Sequence, residues 1–277
     1  MEIAGHKIGV CSWSLQPANM SELVASVRQV GLEHIQLALR PLINANEETR
    51  AGELRVLRES GLQLTAGMIG FAGEDYSTIA IIRKTGGYLP DSTWEVRRDE
   101  TIAAAKLARE LGLAAVTTHI GFVPASSDAG YEKMLSRVGE VADALAAQEV
   151  ALLMETGQET APELLQFLND LRRRNVEVNF DPANMILYGA GDPHDAIRIL
   201  GRHIRHVHIK DATLSDQPRM RWGNEVPFGQ GQVRARKFLD ALHEVGYFGP
   251  LVIEREAGPD RLDDIRDAIA ALKEAAE

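Results

Sequence analysis

Residues 150–181 read VALLMETGQETAPELLQFLNDLRRRNVEVNFD, and this stretch decides the fold class. It opens with the apolar run Val150–Glu155, continues through the amphipathic pattern Ala161–Arg173, and ends in Val176–Asp181, where apolar and polar residues alternate. A strand, a helix and a second strand joined by short loops form the unit that connects two parallel strands. The stretch therefore predicts a parallel α/β architecture.

The same unit repeats along the whole chain. Eight short β-branched or Leu-rich runs are predicted as strands: Lys7–Cys11, Glu33–Leu39, Leu62–Met68, Ala114–His119, Val150–Glu155, Val176–Asp181, Ile204–Lys210 and Leu251–Glu254. Amphipathic patterns separate them and are predicted as helices: Met20–Val30, Asn46–Ser60, Glu95–Leu111, Gly130–Glu149, Ala161–Arg173, Asp192–Leu200, Arg234–Val245 and Arg261–Ala276. Eight such units in 277 residues match a (β/α)₈ TIM barrel, and no linker divides the chain, so we expect one domain over residues 1–277.

A doubly wound open sheet is the competing fold. Its dinucleotide-binding form would need a Gly-x-Gly-x-x-Gly turn after the first strand. This chain has Cys11-Ser12-Trp13-Ser14-Leu15 at that place, so the barrel is favoured.

The composition limits the function classes. The chain has 30 Lys and Arg against 40 Asp and Glu, and its formal net charge of −10 disfavours a nucleic-acid partner. Cys11 is the only cysteine, which excludes a disulfide framework and fits a reducing compartment. No apolar run reaches the roughly 18 residues of a membrane span, and Met1–His6 lack the pattern of a secretory signal. We therefore expect a cytoplasmic protein with neither a membrane nor a nucleic-acid partner.

The last four predicted strands end in residues that can bind a cation, namely Glu155, Asp181, His208 and Glu254. Functional groups of a parallel barrel come from the C-terminal ends of the strands. Asp181 and His208 fall on the inward face, because the alternate apolar residues of their strands must pack against the helices. We therefore expect the four side chains to converge inside the barrel mouth.

Three carboxylates and an imidazole at one apolar place repel one another and lose hydration, and a divalent cation removes that cost. Oxygen and nitrogen donors suit Mn²⁺, Mg²⁺, Co²⁺ or Zn²⁺, and the absence of thiolates argues against a structural zinc site. The donor set therefore predicts one divalent ion and is compatible with each of these four metals. Taken singly, a glutamate at a strand end is usually a loop hydrogen-bonding or surface residue, and a histidine in a strand is usually structural; four consecutive strands that end in such residues favour the metal site.

The chain resembles the sugar isomerase and epimerase group of xylose-isomerase-like TIM barrels, which includes D-tagatose 3-epimerase, hydroxypyruvate isomerase and inosose isomerase-like proteins. The resemblance covers essentially the whole chain. Its specific pieces are Leu153-Met154-Glu155, Asn179-Phe180-Asp181-Pro182-Ala183-Asn184, His206-Val207-His208-Ile209-Lys210-Asp211 and Ile253-Glu254-Arg255-Glu256. The family's four metal ligands fall on the same four residues that the strand pattern selects.

The resemblance also implies a mechanism. In the family, the two glutamates move the substrate proton, which assigns Glu155 and Glu254 as the acid/base pair. A divalent cation would polarise the carbonyl of a small ketose, keto-polyol or its phosphate, so that the adjacent C–H becomes acidic and an enediolate forms. The expected activity is that of a metal-dependent sugar isomerase or epimerase.

Further residues are predicted to contact a small sugar or polyol substrate. His119 ends the fourth strand, where the family often has a polar substrate contact. Lys210 lies above the metal layer and could neutralise an enediolate oxygen, or form an ion pair with Asp211 or another loop acid. His206 lies one layer deeper than His208, where it could orient a ligand by hydrogen bonding or serve as a core histidine.

Asn184 stands where some family members place a histidine that contacts substrate, which leaves the precise substrate open. Loop aromatics, among them Trp13 and Phe71, could stack on the C–H face of a sugar or pack against neighbouring loops. The segment Phe228–Gln232 follows the seventh strand near the usual phosphate site of barrels, although its two glycines could equally form a turn.

Other functions are compatible with parts of the pattern. A lyase that cleaves 3-oxo-glycosides would use the same proton abstraction. The related apurinic endonucleases need further histidines, where this chain has Asn184 and Met68. A non-catalytic sugar-binding barrel is a fourth reading, since fold does not fix function. A homodimer and a homotetramer are both compatible with the sequence, which does not decide the oligomeric state.

Overall fold

A computed structural model describes all 277 residues. It contains these strands: β1 (Glu2–Ile3), β2 (His6–Cys11), β3 (His34–Ala38), β4 (Gln63–Met68), β5 (Ala115–Thr118), β6 (Ala151–Glu155), β7 (Val176–Phe180), β8 (Ile204–Ile209), β9 (Asp211–Thr213), β10 (Asn224–Val226) and β11 (Leu251–Ile253). Its α-helices are α1 (Met20–Gln29), α2 (Arg40–Asn44), α3 (Glu47–Ser60), α4 (Ile79–Thr85), α5 (Asp91–Glu110), α6 (Ala129–Ala146), α7 (Ala161–Leu171), α8 (Pro182–Tyr188), α9 (Pro193–Leu200), α10 (Ala235–Glu244) and α11 (Arg261–Ala276).

Eight of the strands close into a parallel barrel. Strands β2 to β8 pair in sequence order, and β11 pairs in parallel with both β8 and β2, so the barrel has no open edge. These eight strands are the predicted ones, and no strand end differs from the prediction by more than one residue. The prediction of a (β/α)₈ TIM barrel is confirmed.

The predicted helices also form, with small shifts at their ends. Helix α5 begins four residues earlier than expected, at Asp91 directly after Pro90, and an acidic residue in the first turn is favoured by the helix dipole. Helix α6 ends at Ala146, three residues early, because the chain turns back and Glu149 takes a positive φ of 58°.

Several short elements were not predicted. Strand β1 forms a small antiparallel pair with β2 at the N-terminal end of the barrel. Helices α2, α4 and α8 lie in loops at the opposite end. Strands β9 and β10 form an antiparallel arm after β8, pairing Asp211 with Val226. This arm and the loop after β4 rise on either side of the barrel mouth.

The apolar residues of strands and helices form one continuous buried cluster between the barrel wall and the outer helices. Inside the barrel, several strands present polar side chains that are completely buried, among them Gln36, Thr117, Asn179 and His208. Buried polar groups are costly unless they are hydrogen-bonded, so this interior column needs a dedicated network of partners. None of the helices combines the length and apolar character that crossing a bilayer requires.

Candidate active site

The four predicted metal ligands lie together at the C-terminal ends of neighbouring strands. Glu155 ends β6, Asp181 follows β7, His208 lies in β8 and Glu254 follows β11. All four are buried, and their donor atoms lie within 4.8 Å of one another. The Nδ1 atom of His208 is 3.3 Å from Asp181 Oδ2, and 3.5 Å from both Glu155 Oε1 and Glu254 Oε2.

The orientation of the His208 ring is fixed from its other side. Nε2 lies 2.7 Å from Gln36 Oε1, which can only accept a hydrogen bond, so Nε2 carries the proton. Gln36 is itself oriented, because its Nε2 donates to Thr117 Oγ1 at 2.8 Å. The Nδ1 lone pair of a neutral His208 then points at the carboxylate oxygens. An outer hydrogen bond of this kind commonly sets the tautomer of a metal-binding histidine.

This arrangement fits a divalent cation. A lone pair that faces three carboxylate oxygens requires positive charge between them. Burial lowers the pKa of His208, but the carboxylates, Glu254 foremost, raise it well above its usual value. A proton on Nδ1 can be shared with only one or two oxygens, whereas a cation contacts all four donors. Octahedral donors at about 2.1 Å from a cation lie about 3.0 Å apart, close to the observed spacings.

Ionisation of the buried Asp181 carboxylate is costly in free energy. Its side chain is completely buried, and burial raises the pKa of Asp181 to about 6. One oxygen faces His208, and the other accepts the backbone N–H of Asn184 at 2.8 Å and so caps helix α8. The carboxylate is thus held in place by the helix that follows it, before any cation is present.

A second polar layer lies below the four donors. Asn179 directs its Nδ2 toward Glu155 Oε2 at 3.3 Å, and its Oδ1 lies 2.8 Å from His206 Nδ1. His206 in turn contacts the Thr65 hydroxyl through Nε2 at 3.0 Å. Burial lowers the pKa of His206 well below its usual value, so the ring is neutral. His206 therefore contacts Asn179 and does not line the cavity, and its predicted contact with substrate stays a prediction.

Lys210 projects inward as predicted, and its partners are two glutamates. Its Nζ donates to Glu254 Oε2 at 2.8 Å and to Glu256 Oε2 at 2.6 Å, and lies 3.4 Å from Asn184 Oδ1. Burial lowers the pKa of Lys210, but Glu254 and Glu256 raise it well above its ordinary value, so the ammonium group stays charged. The alternative prediction, an ion pair with Asp211 or another loop acid, is met by Glu256 in the loop after β11 and not by Asp211.

Asp211 instead binds the chain itself. Its buried carboxylate accepts backbone N–H groups from Ala212, Gly229, Gly231 and Val233 at 2.9–3.0 Å. A Cβ at Gly231 would lie 2.2 Å from Asp211 Oδ1, so the close approach requires glycine there. The N–H groups of the segment after the seventh barrel strand are therefore occupied and cannot cradle a phosphate.

A cavity of about 820 Å³ opens above the metal ligands. Its walls come from loops after six strands and from the β9–β10 arm, and they include the following residues: Trp13, Arg40, Phe71, Glu74, Tyr76, His119, Asn184, Tyr188, Lys210, Trp222, Glu225, Glu254 and Glu256. Five of the six predicted substrate contacts thus line one cavity, and His206 lies outside it. This placement is compatible with substrate contact, which stays a prediction for each of the five.

The two glutamates proposed as acid and base have different surroundings. Glu155 Oε1 accepts Asn184 Nδ2 at 2.9 Å and lies 3.5 Å from His119 Nε2. Burial raises the pKa of Glu155, but His119 and His208 bring it below its usual value. Glu254 Oε1 accepts the indole N–H of Trp13 at 2.8 Å, and its other oxygen accepts Lys210. Burial raises the pKa of Glu254 as well, but Lys210 and His208 bring it well below its usual value. Both groups are thus held ionised.

Several residues of the site were missed from the sequence. Gln36 is the single amide in the apolar run of the second barrel strand, and Asn179 shares the inward face with Asp181, so strand parity could have found both. Glu256 follows Glu254 by two residues and could have been found in the same way. Tyr76 stands in a long loop, where no periodic signal exists.

Glu159, in the loop after β6, leads to a prediction of how the stability of the protein depends on pH. Its buried side chain accepts the Val123 N–H at 2.8 Å, and burial raises its pKa from 4.5 to about 7. The folded state keeps a proton that the unfolded state loses, so stability is highest below pH 4.5 and declines as the pH rises through 7. We expect Glu159→Gln to remove this decline and to exceed wild type by up to about 3 kcal/mol at pH 8. Parallel profiles of unfolding free energy against pH for the two proteins would contradict this.

The sequence profile of the xylose isomerase-like TIM barrel family matches residues 24–275. The chain belongs to this family. The match spans nearly the whole barrel and includes all four clustered donors, so the resemblance inferred from the strand-end motifs is confirmed.

Two solved structures show the breadth of the similarity. The xylose isomerase domain protein from Planctomyces limnophilus is 32% identical, with a TM-score of 0.87 over 98% of this chain and 96% of that chain. D-psicose 3-epimerase from Clostridium cellulolyticum H10, solved with D-tagatose, is 17% identical, with a TM-score of 0.72 over 98% of this chain and 99% of that chain. At that lower identity the likeness concerns the fold alone.

A curated relative matches over a shorter stretch. Inosose dehydratase from Lacticaseibacillus casei is 26% identical over 134 residues, which is 43% of this chain and 44% of that protein. The chain therefore matches less than half the length of this relative.

Proposed function

We propose that this protein is a metal-dependent isomerase or epimerase that moves a proton between carbons of a small hydroxy-ketone sugar or polyol. The observation that carries the proposal is the pair Glu155 and Glu254, whose oxygens both lie 3.5 Å from His208 Nδ1 while their outer partners differ. Two ionised carboxylates beside one cation position are suited to removing a proton at one carbon and returning it at another.

The chain's own groups have separate tasks in this scheme. Glu155, Asp181, His208 and Glu254 would hold the cation, for which Mn²⁺ is the first expectation. The cation would polarise the substrate carbonyl and so make the neighbouring C–H acidic. Asn184 and Trp13 each donate to one glutamate and fix its orientation.

Two further groups act on the substrate itself. The Lys210 ammonium is charged and buried beside Glu254, where it would stabilise negative charge on a substrate oxygen. His119, 3.5 Å from Glu155, would bind a hydroxyl on the other side of the site.

Solvent exchange tests the proposal directly. The Mn²⁺-loaded protein, incubated in D₂O with a panel of free and glycosidic ketoses and keto-inositols, should incorporate deuterium at a carbon beside the carbonyl. Mass spectrometry of the recovered sugar gives the extent, and NMR gives the position. Absence of exchange into every member of the panel would contradict the proposal.

We expect the substrate to lack a phosphate group. Asp211 occupies the backbone donors of the segment at the usual barrel phosphate site, and the cavity wall carries four glutamates against Arg40 and Lys210. Placing a dianion against this wall costs several kcal/mol. For a sugar and its phosphate ester, kcat/KM should be at least about 100-fold lower for the ester. Equal efficiency for the two, measured side by side, would show that this reading of the cavity is wrong.

A lyase or dehydratase is the second candidate function. The partial match to inosose dehydratase favours it, because abstraction of a proton beside a ketone can also expel a group from the β carbon. Both reactions use the same base, so the substitutions that abolish one should abolish the other. Identification of the products, as an isomeric sugar or as an unsaturated ketone with a released group, separates the two.

A further inference from the structure

The cavity has a charged floor and an aromatic mouth. Glu254 and Lys210 belong to the floor, while Tyr76 and Trp222 lie on opposite walls of the mouth, with Tyr188 behind Trp222. The charged groups at the floor are those that the proton-transfer chemistry uses. The aromatic groups at the mouth have no task in that chemistry, and they need a separate explanation.

Trp222 is positioned by the β9–β10 arm. The adjacent Gly223 donates its N–H to Leu187 O at 3.0 Å, and a Cβ at Gly223 would lie 2.4 Å from Thr213 O. The two sides of the arm therefore approach too closely for any other residue at 223, and the Gly223 N–H attaches the arm to helix α8. The Trp222 ring meets Tyr188 edge-on, with centroids 4.5 Å apart.

The opposite wall is also held firmly. Trp222 Nε1 donates across the mouth to the backbone oxygen of Tyr76 at 3.0 Å. The loop that carries Tyr76 is anchored by Arg97, a buried side chain that donates to Gly87 O at 2.6 Å and Ala72 O at 3.2 Å. Because both walls are fixed by the chain itself, the aromatic mouth is formed before any substrate binds. Preformed apolar surface beside a few polar groups is typical of a ligand subsite.

We propose that this mouth, formed by Tyr76, Leu187, Tyr188 and Trp222, is a second subsite that binds a ring attached to the reacting sugar. The substrate class is then an uncharged glycoside with a cyclic aglycone. This inference rests on the proposed function only in taking the charged floor of the cavity as the place where the reacting sugar binds.

The size of the cavity supports this occupant. At about 820 Å³ it lies in the upper part of the range for drug-sized ligands, about 300–1,000 Å³, whereas a single six-carbon sugar is much smaller than such ligands. The mouth is continuous with the floor, so one molecule can occupy both. Aromatic walls bind the flat apolar face of a ring, and the indole N–H is already used by Tyr76, so the remaining attraction at Trp222 is through its ring.

Binding of unreactive glycosides tests the subsite without requiring turnover. The probes are methyl β-D-glucopyranoside and phenyl β-D-glucopyranoside, which differ only in the aglycone and carry no ketone. Dissociation constants are measured by ligand-observed NMR with the 277-residue protein loaded with diamagnetic Mg²⁺. We expect the phenyl glycoside to bind about tenfold more tightly to wild type. Trp222→Ala and Tyr76→Ala should remove most of this preference, and Trp222→Phe should keep it.

Phe248→Ala is the matched control, because Phe248 is an exposed aromatic residue that does not line the cavity. Its variant should keep the wild-type preference. A wild-type protein without any preference, or a preference that survives in both Trp222→Ala and Tyr76→Ala, would overturn the subsite. Deuterium exchange into ketoses by the same proteins, loaded with Mn²⁺, reports the proposed function separately. Exchange without an aglycone preference rejects the subsite alone, and a Trp222-dependent preference without exchange rejects the proposed function alone.

Discussion

Replacement of Glu254 by glutamine is expected to lower proton exchange at the substrate by about 10³-fold, within the range for loss of a general base. The amide keeps one oxygen, which can still accept the Trp13 indole N–H, but its NH₂ group then faces the Lys210 ammonium that the glutamate accepts at 2.8 Å. The amide cannot take up a proton at neutral pH. The measurement is deuterium incorporation from D₂O per enzyme and per second, with metal content determined for each sample.

Glu155→Gln should have an effect of the same order, because either glutamate is needed for one half of the proton transfer. Glu177→Gln is the matched control. Glu177 points to the same side of β7 as Asp181 but lies toward the N-terminal end, where it pairs with Arg205 Nε at 2.7 Å. That variant should exchange at the wild-type rate. Exchange that persists in both Glu155→Gln and Glu254→Gln would reject their role as acid and base.

Asp181→Asn should weaken metal binding by at least about 100-fold, because it removes one anionic donor. In the metal-free protein it should do the opposite and increase stability. Burial raises the pKa of Asp181 from 3.8 to about 6, so its contribution is most favourable below pH 3.8 and is lost as the pH rises through 6. At pH 8 the ionised carboxylate therefore costs about 3 kcal/mol, which asparagine avoids. Asparagine also keeps the cap on Asn184 N–H.

The test compares melting temperatures of the two proteins at pH 8, in EDTA and in Mn²⁺. Wild type should gain stability from Mn²⁺ and the variant should gain little. In EDTA the variant should melt at the higher temperature. If Asp181→Asn melts at a lower temperature than wild type in EDTA, groups of the protein itself already stabilise the Asp181 charge. The prediction that a cation is needed to offset the cost of this charge would then be wrong.

Much of the fold could be predicted because the barrel strands obey a simple alternation. In Val176–Phe180 the inward residues are polar and the outward ones apolar, and this pattern fixed both the strand and the direction of Asp181. The same alternation predicted His208 correctly. The β9–β10 arm escaped prediction because its strands are three residues long and are joined by a polar segment that contains Pro218.

The hydrogen-bond and ion-pair partners of the site residues could not be predicted, because they depend on distances between loops that are far apart in the sequence. Lys210 was assigned an inward direction correctly, yet its choice of Glu256 over the adjacent Asp211 results from the loop after β11 folding over it. His206 shares the inward face with His208, and parity alone could not show that Asn179 separates it from the cavity. Cytoplasmic location and the preference for Mn²⁺ stay predictions.

The Asp211 carboxylate also affects how this protein could use the binding energy of a ligand. In barrels that bind a phosphate at this place, a loop can be ordered by the ligand, and part of the ligand's binding energy can drive that ordering. In this protein the Asp211 carboxylate takes the place of the phosphate, and as a side chain of the same chain it cannot dissociate. The segment from Gly229 to Val233 is therefore ordered before substrate binds. Its ordering uses none of the binding energy of the substrate. Discrimination between substrates then depends on how well each one fits the preformed walls of the cavity.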